Sequence, residues 1–135
     1  MAKTFMQMAA EAQAAVPGVN PREAWRRMQE EPKTIMIDVR DAEEIRPTGM
    51  IPGAIAVSAG SLLFKADREV PKEWRDPRLQ DRSVPVITHC ALGPLGAISA
   101  KMLMDMGFVN VSYLEGGIEG WKKAGLPTEP VRTKL

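Results

Sequence analysis

Val84-Pro85-Val86-Ile87-Thr88-His89-Cys90-Ala91-Leu92-Gly93-Pro94-Leu95-Gly96-Ala97-Ile98-Ser99-Ala100 is the stretch that decides how this chain reads. Its first part is a short apolar run, the pattern of a strand covered on both faces. A loop with two glycines and a proline follows Cys90. A helix then starts near Gly96, with Ile98, Met102, Leu103 and Met106 on its apolar side and Gly107 as its stop. In an open α/β sheet, ligands bind at the carboxyl ends of the strands. Cys90 is expected there, facing a helix N-terminus.

Other segments repeat this alternation. Thr34 to Val39, Ala54 to Val57 and Val109 to Leu114 read as further strands. Helical stretches fall at Asp41 to Ile45, Ser61 to Lys65, Gly96 to Met106 and Gly117 to Ala124. Asn20-Pro21-Arg22-Glu23 starts another helix, with Asn as cap and Pro in the first turn. Strands alternating with helices imply an α/β fold around a mostly parallel central sheet, with helices on both faces. Ahead of this, Thr4 to Val16 reads as a helix opened by a Thr4/Gln7 capping box and stopped by Pro17-Gly18. Residues 65–82 mix both charge signs with Pro71 and Pro77, and read as an exposed excursion.

Size and composition exclude several classes of function. A chain of 135 residues is expected to form one domain with a core of its own. Eighteen basic and seventeen acidic side chains give a net charge of +1, which offers nothing for nucleic acid or an anionic membrane. No run approaches the ~18 apolar residues of a membrane span. The N-terminus lacks an export pattern, because Lys3 is the only early cation and Gln7, Glu11 and Gln13 interrupt any apolar core. The chain has one cysteine and one histidine. It can form no internal disulfide and no Cys-rich or multi-His metal centre, so no metal or cofactor is expected. These features together point to a reducing cytoplasm.

Cys90 is the residue that can carry chemistry. A free thiol is only a few per cent thiolate at pH 7, so a reactive one needs ~2.7 kcal/mol of preference for its anion. A helix N-terminus supplies ~0.3–1 kcal/mol, and each amide donating to a charged group ~1.5–3 kcal/mol. Two or three amides from Ala91 to Gly96 suffice on that arithmetic. His89 is a poor candidate for a base. Successive strand side chains point to opposite faces, so it should diverge from Cys90 and serve as scaffolding.

Three further motifs give the chain a resemblance. Ile37-Asp38-Val39-Arg40-Asp41, Gly49-Met50-Ile51-Pro52-Gly53-Ala54-Ile55 and Leu114-Glu115-Gly116-Gly117-Ile118-Glu119-Gly120-Trp121 are similar to signatures of the single-domain rhodaneses, in the right order around the cysteine loop. The match continues through Lys122-Lys123-Ala124-Gly125-Leu126-Pro127. The resemblance implies a rhodanese-like domain over 20–128, an N-terminal helical extension over 1–19 and a tail over 129–135. It implies Cys90 as carrier of a sulfane sulfur, with Ala91, Leu92, Gly93, Pro94, Leu95 and Gly96 as the substrate-binding loop and Asp38 and Arg40 as supporting residues. It also implies a sulfur donor, either thiosulfate or a protein or small-molecule persulfide, and a thiol or other nucleophilic acceptor.

Two positions depart from the family pattern. Met50 replaces a usual His, and Leu95 stands where active rhodaneses place the loop Arg. Weak thiosulfate activity follows, since the guanidinium that would recognise an anion is missing. A related branch of phosphatases and arsenate reductases uses His-Cys-x5-Arg, but Gly96 occupies that Arg position and removes the main charge stabiliser for phosphoryl transfer. The alternative is a catalytically degenerate rhodanese-like module that binds or regulates a partner. Nothing in the residues indicates the oligomeric state.

Overall fold

A computed structural model describes residues 2–131. Met1 and residues 132–135, which include most of the expected tail, lie outside the described residues. The chain runs α1 (Phe5–Ala15), β1 (Gly18–Val19), α2 (Pro21–Glu30), β2 (Ile35–Asp38), α3 (Ala42–Thr48), β3 (Ile55–Ala56), α4 (Ala59–Lys65), β4 (Val86–His89), α5 (Pro94–Asp105), β5 (Val111–Leu114) and α6 (Gly117–Lys123). The five strands form one sheet in the order β1-β5-β4-β2-β3, and every pairing is parallel.

The helix starts follow their caps. Thr4 and Gln7 form the reciprocal capping box, with Thr4 Oγ1 accepting from the Gln7 amide at 3.1 Å and Gln7 Oε1 accepting from the Thr4 amide at 2.8 Å. Asn20 caps α2 by accepting from the Glu23 amide at 2.9 Å, and Pro21 occupies its first position. Strand β1 is a finding that periodicity could not supply. Two residues carry no pattern, and Gly18–Val19 become a strand only by pairing with Tyr113–Leu114.

Alternation along the strands divides the core in two. Ile37, Val39, Val86, Cys90 and Val111 pack with Leu62, Ala100 and Leu103 on the side covered by α1, α4 and α5. Met36, Ile87 and Leu114 pack with Ala24, Ile118 and Trp121 on the side of α2 and α6. Trp121 is fully buried, meets Trp25 edge-on at 5.6 Å, and donates its indole N–H to the Pro127 carbonyl at 2.7 Å.

The segment after α4 is exposed at Arg68, Glu69 and Pro71 to Trp74, with short 3-10 turns at Lys72–Trp74 and Pro77–Leu79. It is nevertheless anchored. Leu79 is fully buried, the Gln80 amide donates to the Lys65 carbonyl at 3.0 Å, and Arg82 lies 4.5 Å above the Phe108 ring.

Candidate active site

Strand β4 is the central strand, and Cys90 is the first residue beyond its carboxyl end. The cysteine is 5% exposed and packs in the core cluster of α1, α4 and α5. His89 is fully buried with Nε2 3.6 Å from Oδ2 of Asp38, a residue that alternates along the chain with Ile37 and Val39 of that cluster. The pleat thus separates the two neighbours, and the His89 ring is hydrogen-bonded behind the loop, its Nδ1 3.0 Å from the Cys90 carbonyl oxygen.

The loop is shorter than the sequence suggests. Helix α5 begins at Pro94, two residues before Gly96, because proline suits the first turn of a helix. Gly93 is the N-cap and has φ +128°, a conformation open to glycine and strained for other residues. Its amide donates to Cys90 Sγ at 3.1 Å. The expectation of two or three amides is corrected here. Gly93 supplies the one amide bond to Sγ found among the described residues, and Pro94 has no N–H to add.

The remaining loop residues divide by environment. Leu92 is 68% exposed at the loop surface. Leu95 is half-buried and packs against the same apolar cluster as Cys90, so its side chain belongs to the core edge. The Leu95 carbonyl accepts from Ser99 Oγ at 2.8 Å, and the Gly96 carbonyl from Thr88 Oγ1 at 2.6 Å. A β-carbon at Gly96 would lie 3.0 Å from His89 Cα and 3.2 Å from the Cys90 nitrogen. A glycine there lets α5 sit directly on the end of β4, and an arginine would have to push the two apart.

The start of α6 closes the loop from the other side. The Ile118 amide donates to the Cys90 carbonyl at 3.0 Å, and the Glu119 amide to the Ala91 carbonyl at 3.1 Å. The helical stretch that the sequence places from Gly117 does not disclose that its next two amides hold the cysteine loop; the double glycine Gly116-Gly117 is the signal for so close an approach.

Asp38 and Arg40 do pair. Arg40 Nε donates to Asp38 Oδ1 at 3.0 Å and Nη2 to Oδ2 at 2.8 Å, with both side chains buried. Arg40 also donates to Thr48 Oγ1 at 2.8 Å and to the Gly49 carbonyl at 3.0 Å. Its fork is therefore taken up by bracing the β2–α3 connection. Asp38 and His89 are partners in register on β2 and β4, and Asp38 Oδ2 lies 3.6 Å from His89 Nε2. Burial lowers the His89 pKa below its usual value, with the Asp38 carboxylate opposing that effect.

Among the described residues, no group of three or more His, Cys, Asp or Glu is placed to hold a metal ion. No helix among them is long and apolar enough to cross a membrane.

The rhodanese-like domain model matches residues 20–124. Thiosulfate sulfurtransferase GlpE of Actinobacillus succinogenes is 32% identical over 111 residues, covering 82% of this chain and 88% of that protein. Among solved structures, a protein of unknown function from Rhodopseudomonas palustris CGA009, described as a possible tyrosine phosphatase, superposes with a TM-score of 0.87. It is 29% identical, with 96% of each chain covered. The polysulfide-sulfur transferase homodimer of Wolinella succinogenes gives a TM-score of 0.72 at 27% identity, covering 95% of this chain and 88% of that one. The matched span contains β2 to β5, the cysteine loop and the α6 clamp, and on these grounds the chain belongs to the rhodanese-like domain family.

Proposed function

We propose that this protein is a sulfurtransferase that carries sulfane sulfur as a persulfide on Cys90. The observation that carries the reading is the Cys90 thiol at the carboxyl end of the central strand, with the Gly93 amide 3.1 Å from Sγ at the start of α5. The thiolate attacks the sulfane sulfur of a donor R–S–S⁻. A new S–S bond forms on Cys90, the donor's S–S bond breaks, and R–S⁻ leaves. With thiosulfate as donor, sulfite leaves instead. A nucleophilic acceptor, such as a thiolate, then attacks the outer sulfur and restores the Cys90 thiolate. The electrons balance with no added oxidant. The chain has no second cysteine, so the sulfur must leave to an external acceptor. A reducing cytoplasmic setting suits such a carrier.

Donor choice follows from the loop. Ala91, Leu92, Gly93, Pro94, Leu95 and Gly96 present no charge, and Leu95 packs on the core where the family pattern has its loop Arg. The doubly charged thiosulfate finds no guanidinium there, so persulfide donors are favoured and thiosulfate transfer is weak. The sulfurtransferase names of relatives that cover most of this chain support sulfane sulfur as the cargo. Phosphoryl transfer is disfavoured by the tight contact at Gly96, which leaves no place for the phosphatase arginine.

Two observations favour a second reading, a binding module without turnover: Cys90 is only 5% exposed, and Leu95 stands in place of the loop Arg. Mass spectrometry separates the two. Incubation with glutathione persulfide, thiosulfate or a loaded cysteine desulfurase should add one sulfur mass to the wild type and none to Cys90→Ser. No adduct from any of these donors would establish the second reading.

A further inference from the structure

His89 lies behind the Cys90 loop with one ring nitrogen engaged and the other bare. Its Nδ1 is 3.0 Å from the Cys90 carbonyl oxygen. A carbonyl only accepts, so this nitrogen carries the proton. Its Nε2 is fully enclosed and has no hydrogen-bond partner. The nearest carboxylate oxygen, Asp38 Oδ2, is 3.6 Å away, beyond hydrogen-bonding distance, and is already taken by Arg40 Nη2 at 2.8 Å. Burial favours the neutral ring over the charged one. Neutral imidazole has one N–H, and the geometry spends it on Cys90.

The surroundings make this choice informative. On the sheet face that α2 and α6 cover, Met36, Ile87 and Leu114 are apolar, and the buried charge beside His89 is Asp38, its partner in register, which Arg40 already engages. A leucine or phenylalanine would fill the space without stranding a polar atom. The fold instead keeps a histidine whose second nitrogen is orphaned, and the one bond it makes goes to the residue with the reactive thiol.

We propose that His89 is a positioning residue for Cys90. Its Nδ1–H and the Ile118 amide hold the Cys90 carbonyl together. They fix the Cys90–Ala91 peptide plane and so set the turn that aims the Gly93 amide at Sγ. His89 exchanges no proton with the thiol, because its ring lies on the opposite side of the strand. The inference builds on the reading of Cys90 as a sulfur carrier, yet its test needs no sulfur transfer.

The test compares His89→Asn with His89→Gln in the full chain. The Asn amide nitrogen can take the place of Nδ1 and keep the donor to the Cys90 carbonyl. The Gln nitrogen falls where Nε2 is, toward Asp38, and leaves that carbonyl one donor short. The readout is the rate of Cys90 alkylation by iodoacetamide as a function of pH. Asn should preserve the wild-type profile, and Gln should slow alkylation at neutral pH by about 2- to 10-fold, the factor that one lost hydrogen bond represents. Asn and Gln behaving alike would overturn the proposal. Should Gln fail to fold, nitrogen-15 NMR of the wild-type ring decides: a proton on Nδ1 supports the assignment, and one on Nε2 refutes it. Sulfur loading is measured separately, so a wild type that takes up no sulfur removes the persulfide reading and leaves the alkylation comparison intact.

Discussion

Gly117 lies against Ala91 so closely that a β-carbon built on it would stand 2.4 Å from the Ala91 carbonyl oxygen. The same β-carbon would be 2.7 Å from the Cys90 carbonyl oxygen, and φ is +61°. The start of α6 and the cysteine loop meet backbone to backbone here. Gly117→Ala should therefore cost about 2–5 kcal/mol, combining a left-handed penalty with overpacking. It should also slow Cys90 alkylation. Gly116→Ala, whose β-carbon would meet Gly120 Cα at 3.2 Å, should cost less and leave the loop in place. Urea denaturation of the two variants gives the comparison.

The Asp38–Arg40 pair is buried and bidentate. Replacing Arg40 by Met strands the carboxylate and removes the braces to Thr48 and Gly49. The expected loss is about 3–5 kcal/mol, the range for breaking a buried pair from one side. Arg40→Lys keeps the charge but not the fork, and should recover only part of it. The denaturation midpoint measures both.

The chain contains a single histidine, so its stability between pH 5 and 7 isolates His89. Burial holds the folded pKa below the unfolded value of 6.5. The unfolded chain therefore binds more protons below pH 6.5, and stability must fall as the pH drops through that value toward the folded pKa. The limiting slope is about 1.4 kcal/mol per pH unit for one group. His89→Asn should remove this component. A wild type whose stability is flat between pH 6.5 and 5 would contradict the neutral buried ring.

Leu95→Arg tests whether the missing guanidinium limits thiosulfate use. Leu95 packs on the core edge, so the change should cost about 1–3 kcal/mol through lost apolar burial. Thiosulfate:cyanide sulfur transfer should rise. An unchanged rate in a folded variant would show that the loop conformation, and not the charge, sets donor choice.

These relationships differ in how far the sequence revealed them. The cap residues Thr4 and Asn20, the four apolar strands and the cysteine at a strand–helix junction were all legible, because each is written in adjacent residues. The early start of α5 at Pro94 was available in the same way and was overlooked. Other features depend on distant residues. Strand β1 exists only through Tyr113 and Leu114, and the clamp on Cys90 comes from Ile118. The pairing of Asp38 with His89 joins positions on two strands brought into register by the fold. The sequence assigned His89 to scaffolding by the pleat argument, but its bond to the Cys90 carbonyl could not be read from alternation.

The strand order also bears on when the cysteine loop takes shape. β1, the first strand made, pairs with β5, the last, and β5 lies between it and the central β4. During synthesis the N-terminal strand has no partner until residue 114 has emerged. The amides of Ile118 and Glu119 that secure Cys90 and Ala91 follow later still. Non-local pairing of this kind is slow to form. Folding intermediates that lack the segment after β5 would carry the thiol without its finished surroundings, so the nascent chain cannot hold Cys90 in its final setting before residue 119 has emerged.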